Sequence, residues 1–244
     1  MIMLYVVGIG SGKKDNLTIE ALSALENCDV VVGYDVYVDL VKEYISGKEF
    51  VTSGMKKEIE RCEKALQIAR NGKNVCVVCS GDAGVYAMAS LVLELRKEYQ
   101  DVEVKIVSGV TSALSGGAVL GAPLTHDFAV ISLSDLLTPY ELIEKRIRCA
   151  CEGDFCICIY NPSSKKRHEY LGNMCKIMLE YKSENTVCGI VKNIGRDGEQ
   201  KEVLTLKQLS EKQVDMFTTV FIGNSQTTVI DDFMVTPRGY KTNH

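Results

Sequence analysis

Residues 4–12, with the sequence LYVVGIGSG, indicate the fold class of this chain. The apolar run 4–7 predicts a buried strand, and a glycine-rich loop follows it directly. Glycine in such a loop lets the backbone approach a ligand and exposes its N–H groups. A Rossmann fingerprint would need glycine in place of Lys13, and a P-loop would need it in place of Val7. The loop therefore predicts either a ligand-binding strand exit of another type or simply a tight turn.

Strand-like runs and amphipathic segments alternate along the rest of the chain. In the first half they predict strands over 4–7, 29–32, 75–79 and 102–107 and helices over 18–26, 56–71, 85–98 and 111–120. In the second half they predict strands over 128–133, 155–160, 187–192, 202–206, 218–222 and 233–236 and helices over 139–151 and 165–181. The short runs after residue 198 favour antiparallel strands.

This pattern predicts an α/β fold of two consecutive domains, 1–121 and 122–244. The first domain should have a mainly parallel sheet and the second a mixed sheet. Small ligands bind in clefts between domains, so we expect the cofactor site there.

Composition excludes several classes of protein. The chain has 244 residues and a formal net charge of -4, which argues against a nucleic-acid-binding scaffold. It has no apolar run approaching the roughly 18 residues of a membrane span, and its N-terminus has no basic segment typical of a signal peptide. We therefore expect a cytoplasmic protein without membrane or nucleic-acid partners.

Ten cysteines and three histidines raise the question of a metal site. Cys76 and Cys79 form a C-x-x-C pair, but they lie within a predicted strand, where an odd offset sends their side chains to opposite faces. No zinc-type spacing is present. We predict buried reduced thiols and no metal.

Two further strand ends resemble the first. Residues 80–84 (SGDAG) and 108–112 (SGVTS) each follow a predicted strand and precede a predicted helix. Ser80 or Asp82 could simply cap the following helix, as Ser and Asp often do. However, ligands of open α/β sheets gather at the carboxyl ends of the strands. Three such loops together predict a preformed pocket for a polar small molecule.

The loops GxGxG, SGDAGVY and SGVTS, in this order and spacing, resemble the tetrapyrrole methylase family over about residues 4–240. That resemblance implies S-adenosylmethionine as cofactor, S-adenosylhomocysteine as product and a homodimer. Other segments resemble the members that methylate C17 of the corrin ring and contract the macrocycle. These segments are 120–124 (LGAPL), 126–128 (HDF), 131–139 (ISLSDLLTP), 160–162 (YNP), 195–199 (GRDGE), 223–225 (GNS) and 236–240 (TPRGY).

The resemblance implies a C-methyltransferase of cobalamin biosynthesis that acts at C17 of a tetrapyrrole of the precorrin-3B or cobalt-factor III type. It also implies cofactor contacts from both domains. These residues are Gly10, Ser11, Ser80, Gly81, Asp82, Val85, Thr111, Ser112, Tyr160, Asn161 and Asn193. The chain departs from the family at Ser11 and Ser108, which usually are proline, at Ala87, usually glycine, and at Ser163, where an arginine commonly follows Asn-Pro.

Ring contraction requires proton transfers in addition to methyl transfer. His126 and Asp127 are our candidates, because an imidazole titrates near neutral pH and an adjacent carboxylate could orient it. A surface histidine beside a turn aspartate is the simpler alternative.

The implied substrate carries many carboxylates, which arginine binds through paired N–H donors. We expect substrate contacts from arginines and one tyrosine in the resembling motifs, and solvated side chains at Lys165 and Lys166. The expected substrate residues are Arg167, Arg196, Arg238 and Tyr240.

Three alternatives remain open at this stage. A sibling enzyme would methylate another ring carbon, an NAD-dependent oxidoreductase would also have glycine loops at strand ends, and a non-catalytic module could bind the same ligand. Whether the macrocycle carries cobalt is also open, and the thiol-rich composition mildly favours the cobalt-containing, anaerobic case.

Overall fold

Buried β-branched runs form a single parallel sheet in the first half of the chain. The computed structural model describes residues 2–164 and 167–241, and it groups Met1–Ser112 into one unit and Ala113–His244 into another. The strands of the first unit pair in the order β3-β2-β4-β1-β5, all parallel. They are β1 (Met3–Gly8), β2 (Val30–Tyr34), β3 (Glu49–Ser53), β4 (Val75–Cys79) and β5 (Glu103–Val107).

Helices cover both faces of this sheet. They are α1 (Ile19–Asn27), α2 (Asp35–Lys42), α3 (Glu58–Arg70) and α4 (Ala89–Leu95). On one face Cys76 packs in a core with Leu25 of α1, and on the other Cys79 packs with Leu66 of α3. The prediction that these two thiols face opposite ways is thus confirmed.

The second unit is built on a mixed sheet. Its elements are α5 (Ser112–Leu120), β6 (Gly121–Ala122), β7 (Phe128–Ser132), α6 (Tyr140–Glu152), β8 (Cys156–Tyr160), α7 (Tyr170–Met178), β9 (Val187–Lys192), β10 (Gln200–Thr205), α8 (Leu206–Glu211), β11 (Thr218–Ile222), β12 (Thr228–Ile230) and β13 (Phe233–Val235). The main sheet has the order β10-β9-β11-β8-β7, in which only β7 and β8 are parallel. A smaller sheet has the order β12-β13-β6.

Helix α5 begins at the boundary between the units, and from Ala113 onward it belongs to the second unit. Ala113 and Leu120 share a core cluster with Phe221 of β11. A side chain at Gly116 would lie within 3.0 Å of the Phe221 ring, so glycine permits this close packing. The boundary predicted from the sequence, after residue 121, lies at the other end of this helix.

The predicted α/β class, with a parallel first sheet and a mixed second sheet, is confirmed, and several element boundaries are corrected. The helix predicted over 85–98 begins only at Ala89, because Tyr86 has a φ of 53°, which no right-handed helix contains. The helix predicted over 165–181 is shorter, Tyr170–Met178, and Lys165 and Lys166 lie outside the described residues. The pattern also missed α2 and the edge strand β3.

The ten cysteines are free thiols, of which only Cys149 is exposed. No group of three or more His, Cys, Asp or Glu side chains among the described residues is arranged to hold a metal ion. Over residues 2–164 and 167–241, no helix has the length and apolar character that crossing a membrane requires.

Candidate functional site

Three loops meet where β1, β4 and β5 end, because these strands are neighbours in the sheet. The Gly10 N–H donates to the Gly81 carbonyl at 3.0 Å, and the Gly81 N–H donates to the Gly10 carbonyl at 2.8 Å. The Ile9 N–H donates to the Cys79 carbonyl at 2.9 Å. Backbone hydrogen bonds therefore join the first two loops directly beyond the ends of their strands.

The third loop touches the other two through backbone atoms. A Cβ atom at Gly109 would lie 2.2 Å from the Gly81 carbonyl oxygen and 2.5 Å from that of Gly8. A Cβ atom at Gly8 would lie 2.7 Å from the Gly109 nitrogen. Only glycine fits such contacts, so the backbones of all three loops lie side by side. We call residues 8–12, 80–84 and 108–112 the three-loop cluster.

Asp82 ties the second loop to the third. Its Oδ1 accepts from the Gly84 N–H at 2.8 Å, and its Oδ2 accepts from the Gly109 N–H at 2.9 Å. Asp82 does not cap α4, which begins only at Ala89, and holds the second and third loops together instead. A carboxylate has about four acceptor positions, which leaves capacity for a ligand donor.

Ser11 has a similar role in the first loop. Its side chain is buried, and Oγ accepts from the Asn16 side-chain amide at 2.8 Å and from the Lys13 N–H at 3.4 Å. Thr18, which caps α1, donates to the Ser108 carbonyl at 3.2 Å and so connects the start of that helix to the third loop. These hydrogen bonds tie the first and third loops to the residues around the start of α1.

The eight cofactor residues expected in the first domain all lie in the three-loop cluster or directly after it. Ser80, Val85, Thr111 and Ser112 are half-buried. The Thr111 Cα lies 3.6 Å from where a Cβ of Gly81 would stand, which places the start of α5 beside the second loop.

Of the three cofactor residues expected in the second domain, Tyr160 ends β8, Asn161 follows it and Asn193 follows β9. The Tyr160 phenol oxygen accepts from the Ala113 N–H at 2.7 Å, in the first turn of α5. Asn161 and Asn193 have φ angles of 51° and 52°, a left-handed conformation that asparagine tolerates. The Asn161 amide donates to Ser132 Oγ at 2.9 Å.

The candidate catalytic residues His126 and Asp127 precede β7 and are exposed. His126 Nδ1 lies 3.6 Å from Asp127 Oδ2, which is too long for a hydrogen bond. Arg238 Nη1 donates to the Thr125 carbonyl at 3.2 Å, so one expected substrate residue lies beside this pair.

A buried hydroxyl explains why the C-terminal segment reaches this loop. Thr236 Oγ1 donates to the Pro123 carbonyl at 2.7 Å and lies 2.8 Å from Thr227 Oγ1. Thr236 belongs to the TPRGY motif, but its role could not be predicted, because nothing in the sequence pattern pairs positions so far apart.

Arg167 is more deeply placed than a surface substrate residue. Its side chain is 14% exposed, Nη1 donates to the Leu133 carbonyl at 2.9 Å, and Nε lies 3.6 Å from Asp135 Oδ1. Asp135 also accepts from the Tyr170 phenol at 2.7 Å, and this hydrogen bond raises the pKa of Tyr170. Arg167 therefore fixes the loop after β7, a role that the sequence pattern did not indicate.

The two remaining expected substrate residues lie in other segments, after β9 and near the C-terminus. Arg196 is half-buried in the turn after β9, where its N–H donates to the Asn193 carbonyl at 2.9 Å. Tyr240 is 82% exposed in the C-terminal segment.

Burial determines the state of the thiol nearest the three-loop cluster. Cys79, the last residue of β4, is 3% exposed, and burial raises its pKa to about 11. A thiol with that pKa is protonated at neutral pH and is a poor nucleophile. The cluster thus offers backbone N–H and carbonyl groups with one carboxylate, which suits binding and orientation of a polar ligand.

Known proteins resemble the chain over nearly its whole length. The family model described as tetrapyrrole (corrin/porphyrin) methylases matches residues 3–210. A probable cobalt-factor III C(17)-methyltransferase of Salmonella typhimurium is 48% identical, covering 98% of this chain and 99% of that protein. A precorrin-3B C(17)-methyltransferase of Sinorhizobium sp. is 37% identical, covering 97% and 96%. The crystal structure of the methyltransferase CobJ matches with a TM-score of 0.92 and 34% identity, covering 97% of this chain and 100% of that one.

Two other relatives are longer proteins, of which the chain matches 45% and 53%. The family model matches most of the chain, and the Salmonella and Sinorhizobium relatives match it over nearly their full length. The chain therefore belongs to the tetrapyrrole (corrin/porphyrin) methylase family.

Proposed function

We propose that this protein is an S-adenosylmethionine-dependent C-methyltransferase that acts at C17 of a precorrin-3B or cobalt-factor III type tetrapyrrole, with ring contraction, in cobalamin biosynthesis. Family membership and the names of its full-length relatives support the reaction. The single observation that carries the proposal is the backbone contact among three glycine-containing loops at the ends of β4, β1 and β5.

The three-loop cluster fits S-adenosylmethionine by its chemistry. Glycines at 8, 10 and 109 face the backbone of neighbouring segments, so they let the loops pack side by side and form one compact surface for the ligand. Asp82 has acceptor capacity for an ammonium or a ribose hydroxyl, and Val85 offers an apolar wall. When bound, the cofactor supplies a methyl group already activated on a sulfonium.

The protein's own contribution to methyl transfer is placement. Gly10, Ser11, Ser80, Gly81, Thr111 and Ser112 are the remaining residues of this unit that we assign to cofactor binding. Their fixed loops orient the donor, and good alignment contributes up to ~7–11 kcal/mol to lowering a barrier. Tyr160, Asn161 and Asn193 are the contacts that we assign to the second unit.

Ring contraction needs proton transfer, and we assign it to His126 with Asp127. Both side chains are exposed to solvent. Arg238 donates a hydrogen bond to the carbonyl of Thr125, the residue before His126. Arg238, Arg196 and Tyr240 then bind the carboxylate fringe and edge of the macrocycle. Arg167 is held by protein groups, and we assign it to orienting the loop after β7 next to the substrate.

We also propose a homodimer located in the cytoplasm. The resemblance to the family supports the homodimer, and ten free cysteines are typical of a reducing compartment. The cobalt-containing substrate is our first choice, in line with the name of the Salmonella relative.

Two measurements on the purified protein test this function. Calorimetry should detect binding of S-adenosylmethionine and of S-adenosylhomocysteine, and incubation with cobalt-factor III should release S-adenosylhomocysteine. Binding without turnover on any tetrapyrrole would instead identify a non-catalytic module. Binding of NAD and not of the adenosyl ligand would identify an oxidoreductase.

A further inference from the structure

Two residues just before the first turn of α1 hold the first and third loops of the three-loop cluster. They are Asn16, which ends a short 3₁₀ helix (Lys14–Asn16), and Thr18, which caps α1. Neither residue belongs to the three loops, and neither is among the residues that we assign to cofactor binding. We call Asn16 and Thr18 the loop clamp.

Asn16 contacts the first loop with its side chain and with its backbone. Its amide Nδ2 donates to Ser11 Oγ at 2.8 Å, and Ser11 is 7% exposed. Its carbonyl oxygen lies against Gly10, where an added Cβ atom would come within 2.7 Å of it. Gly10 in turn makes two backbone hydrogen bonds with Gly81. Asn16 therefore contacts two consecutive residues of the first loop, one of which is joined to the second loop.

Thr18 makes two hydrogen bonds with one hydroxyl group. Its Oγ1 accepts from the Ala21 N–H at 3.1 Å, which caps α1, and donates to the Ser108 carbonyl at 3.2 Å. A hydroxyl has one hydrogen and two lone pairs, so it can make both bonds at once. Ser108 precedes Gly109, whose N–H donates to Asp82 of the second loop. Thr18 thus ties the start of α1 to the third loop.

The serine at position 11 gives the Asn16 contact a physical purpose. The chain has serine where the resemblance to the family leads us to expect proline. A proline ring fixes φ without any partner, whereas serine leaves φ free to vary. The hydrogen bond from Asn16 restrains the loop at the same residue.

We propose that Asn16 and Thr18 are positioning residues, which set the spacing of the first and third loops and so raise the affinity for S-adenosylmethionine without touching it. This role rests on the proposed function, in which the three-loop cluster binds the cofactor. A ligand that contacts several loops binds more tightly when the loops are already in place, because less free energy is lost in ordering them. The two residues lie only two positions apart, so one short segment restrains two loops.

Four substitutions separate the loop clamp from general stability. Asn16→Leu removes the amide at similar size. Thr18→Ser keeps both hydroxyl bonds, whereas Thr18→Asp keeps the helix cap but has no hydrogen for the Ser108 carbonyl at neutral pH. Asn27→Leu is the matched control, because the Asn27 amide donates to the Ser23 carbonyl at 2.7 Å near the other end of α1.

Three measurements apply to each variant. Calorimetry gives the Kd for S-adenosylmethionine, and turnover with cobalt-factor III at saturating S-adenosylmethionine gives kcat. Thermal melting shows whether the fold is intact.

We expect Asn16→Leu and Thr18→Asp to weaken S-adenosylmethionine binding by about fivefold or more, the effect of one lost hydrogen bond. Their kcat at saturating S-adenosylmethionine should stay within about twofold of wild type, because these residues contribute to binding and not to the chemical step. Thr18→Ser should restore most of the affinity that Thr18→Asp loses. Thr18→Asp should melt close to wild type, since the helix cap remains.

Proline at position 11 tests whether Asn16 acts through Ser11. Asn16→Leu should weaken binding in the protein with Ser11 but have no further effect in a Ser11→Pro protein, because the ring then replaces the restraint of the hydrogen bond. If Asn16 only stabilised the fold, its substitution would cause the same loss in both proteins.

Wild-type affinity of Asn16→Leu or of Thr18→Asp would overturn the role of that residue. An equal loss for Asn16→Leu with serine and with proline at position 11, or an equal loss for Asn27→Leu, would overturn the role of Asn16 as well. A wild-type protein that does not bind S-adenosylmethionine would overturn the proposed function, and the loop clamp with it. A wild-type protein that binds the cofactor and transfers the methyl group, with unaffected variants, would overturn the loop clamp alone.

Discussion

Glycine at position 109 illustrates how single residues shape the candidate site. Its Cα faces the Gly81 carbonyl so closely that a Cβ atom would lie 2.2 Å from that oxygen. The obstacle is backbone, which cannot turn aside as a flexible side chain can. Residue size at this one position therefore decides whether the third loop can touch the second.

We expect Gly109→Ala to displace the loops and to weaken S-adenosylmethionine binding by about tenfold or more, equivalent to ~1.4 kcal/mol. Overpacking should also lower the free energy of unfolding by about 1–3 kcal/mol. Gly54→Ala is a matched control in the same unit, because nothing lies within 4 Å of its added Cβ. Calorimetry measures the affinity for S-adenosylmethionine, and urea unfolding measures the stability. Equal affinities for the two variants would contradict the proposal that the three-loop cluster binds the cofactor.

His126 tests the assignment of proton transfer to a single side chain. If it acts in ring contraction, His126→Ala should lower the yield of ring-contracted product by about 10²-fold or more, as for loss of a general acid or base. Cofactor affinity should stay unchanged, since His126 is 46% exposed and is not among the residues that we assign to cofactor binding. Product analysis by absorption spectrum and mass makes the measurement. A full yield of contracted product from the variant would remove His126 from the mechanism.

The strand β13 and the segment after it hold the loop that carries His126. Thr236 is 1% exposed and bonds to both Pro123 and Thr227, so Thr236→Val leaves a buried carbonyl and a hydroxyl short of a partner. We expect the free energy of unfolding to fall by about 1–3 kcal/mol. Thr228→Val, on the exposed strand β12, is the control and should be neutral. Equal unfolding curves for the two variants would show that this hydroxyl does not hold the segment.

The turn between α6 and β8 is tied to the turn after β11 by Asp154. Burial alone would raise the pKa of this carboxyl, but hydrogen bonds from the Ser225 hydroxyl and N–H, together with the charge of Lys182, outweigh it and lower the pKa below its usual value. Because the folded-state pKa is the lower one, this contribution to stability is present above the unfolded value of about 3.9 and is lost as the pH falls through the folded value.

Asp154→Asn should therefore reduce the free energy of unfolding by about 1–2 kcal/mol at pH 7, with a smaller difference from wild type below pH ~4. Urea unfolding across this range makes the comparison. A difference that stays constant down to the lowest pH would contradict the assignment to the Asp154 carboxylate.

Elements with a strong local sequence pattern could be predicted with accurate bounds, and elements with a weak pattern could not. Residues 75–79, 187–192 and 218–222 were predicted as strands with the observed bounds, because each is a compact apolar run. The edge strand β3 and helix α2 were missed, since their residues are partly exposed and no turn signal separates α2 from β2.

For the molecule as a whole, the three loops are predictable from the sequence, but the contacts that join them are not. Strand order is a long-range property, and it alone makes β4, β1 and β5 neighbours. The bond of Asp82 to Gly109 and that of Arg167 to Leu133 also span many residues, so no local spacing could indicate them. The residue types at the site are predictable from the local sequence, because glycine is needed where backbones touch and a carboxylate where N–H groups converge.

The central claim is that the protein transfers a methyl group to C17 of a corrin precursor. Its most direct test is incubation with S-adenosylmethionine that carries a ¹³C-labelled methyl group and with cobalt-factor III, followed by NMR of the product. We predict one labelled methyl group at C17 of a ring-contracted macrocycle and one equivalent of S-adenosylhomocysteine. Label at another carbon, or no transfer from a protein that binds the donor, would contradict the account.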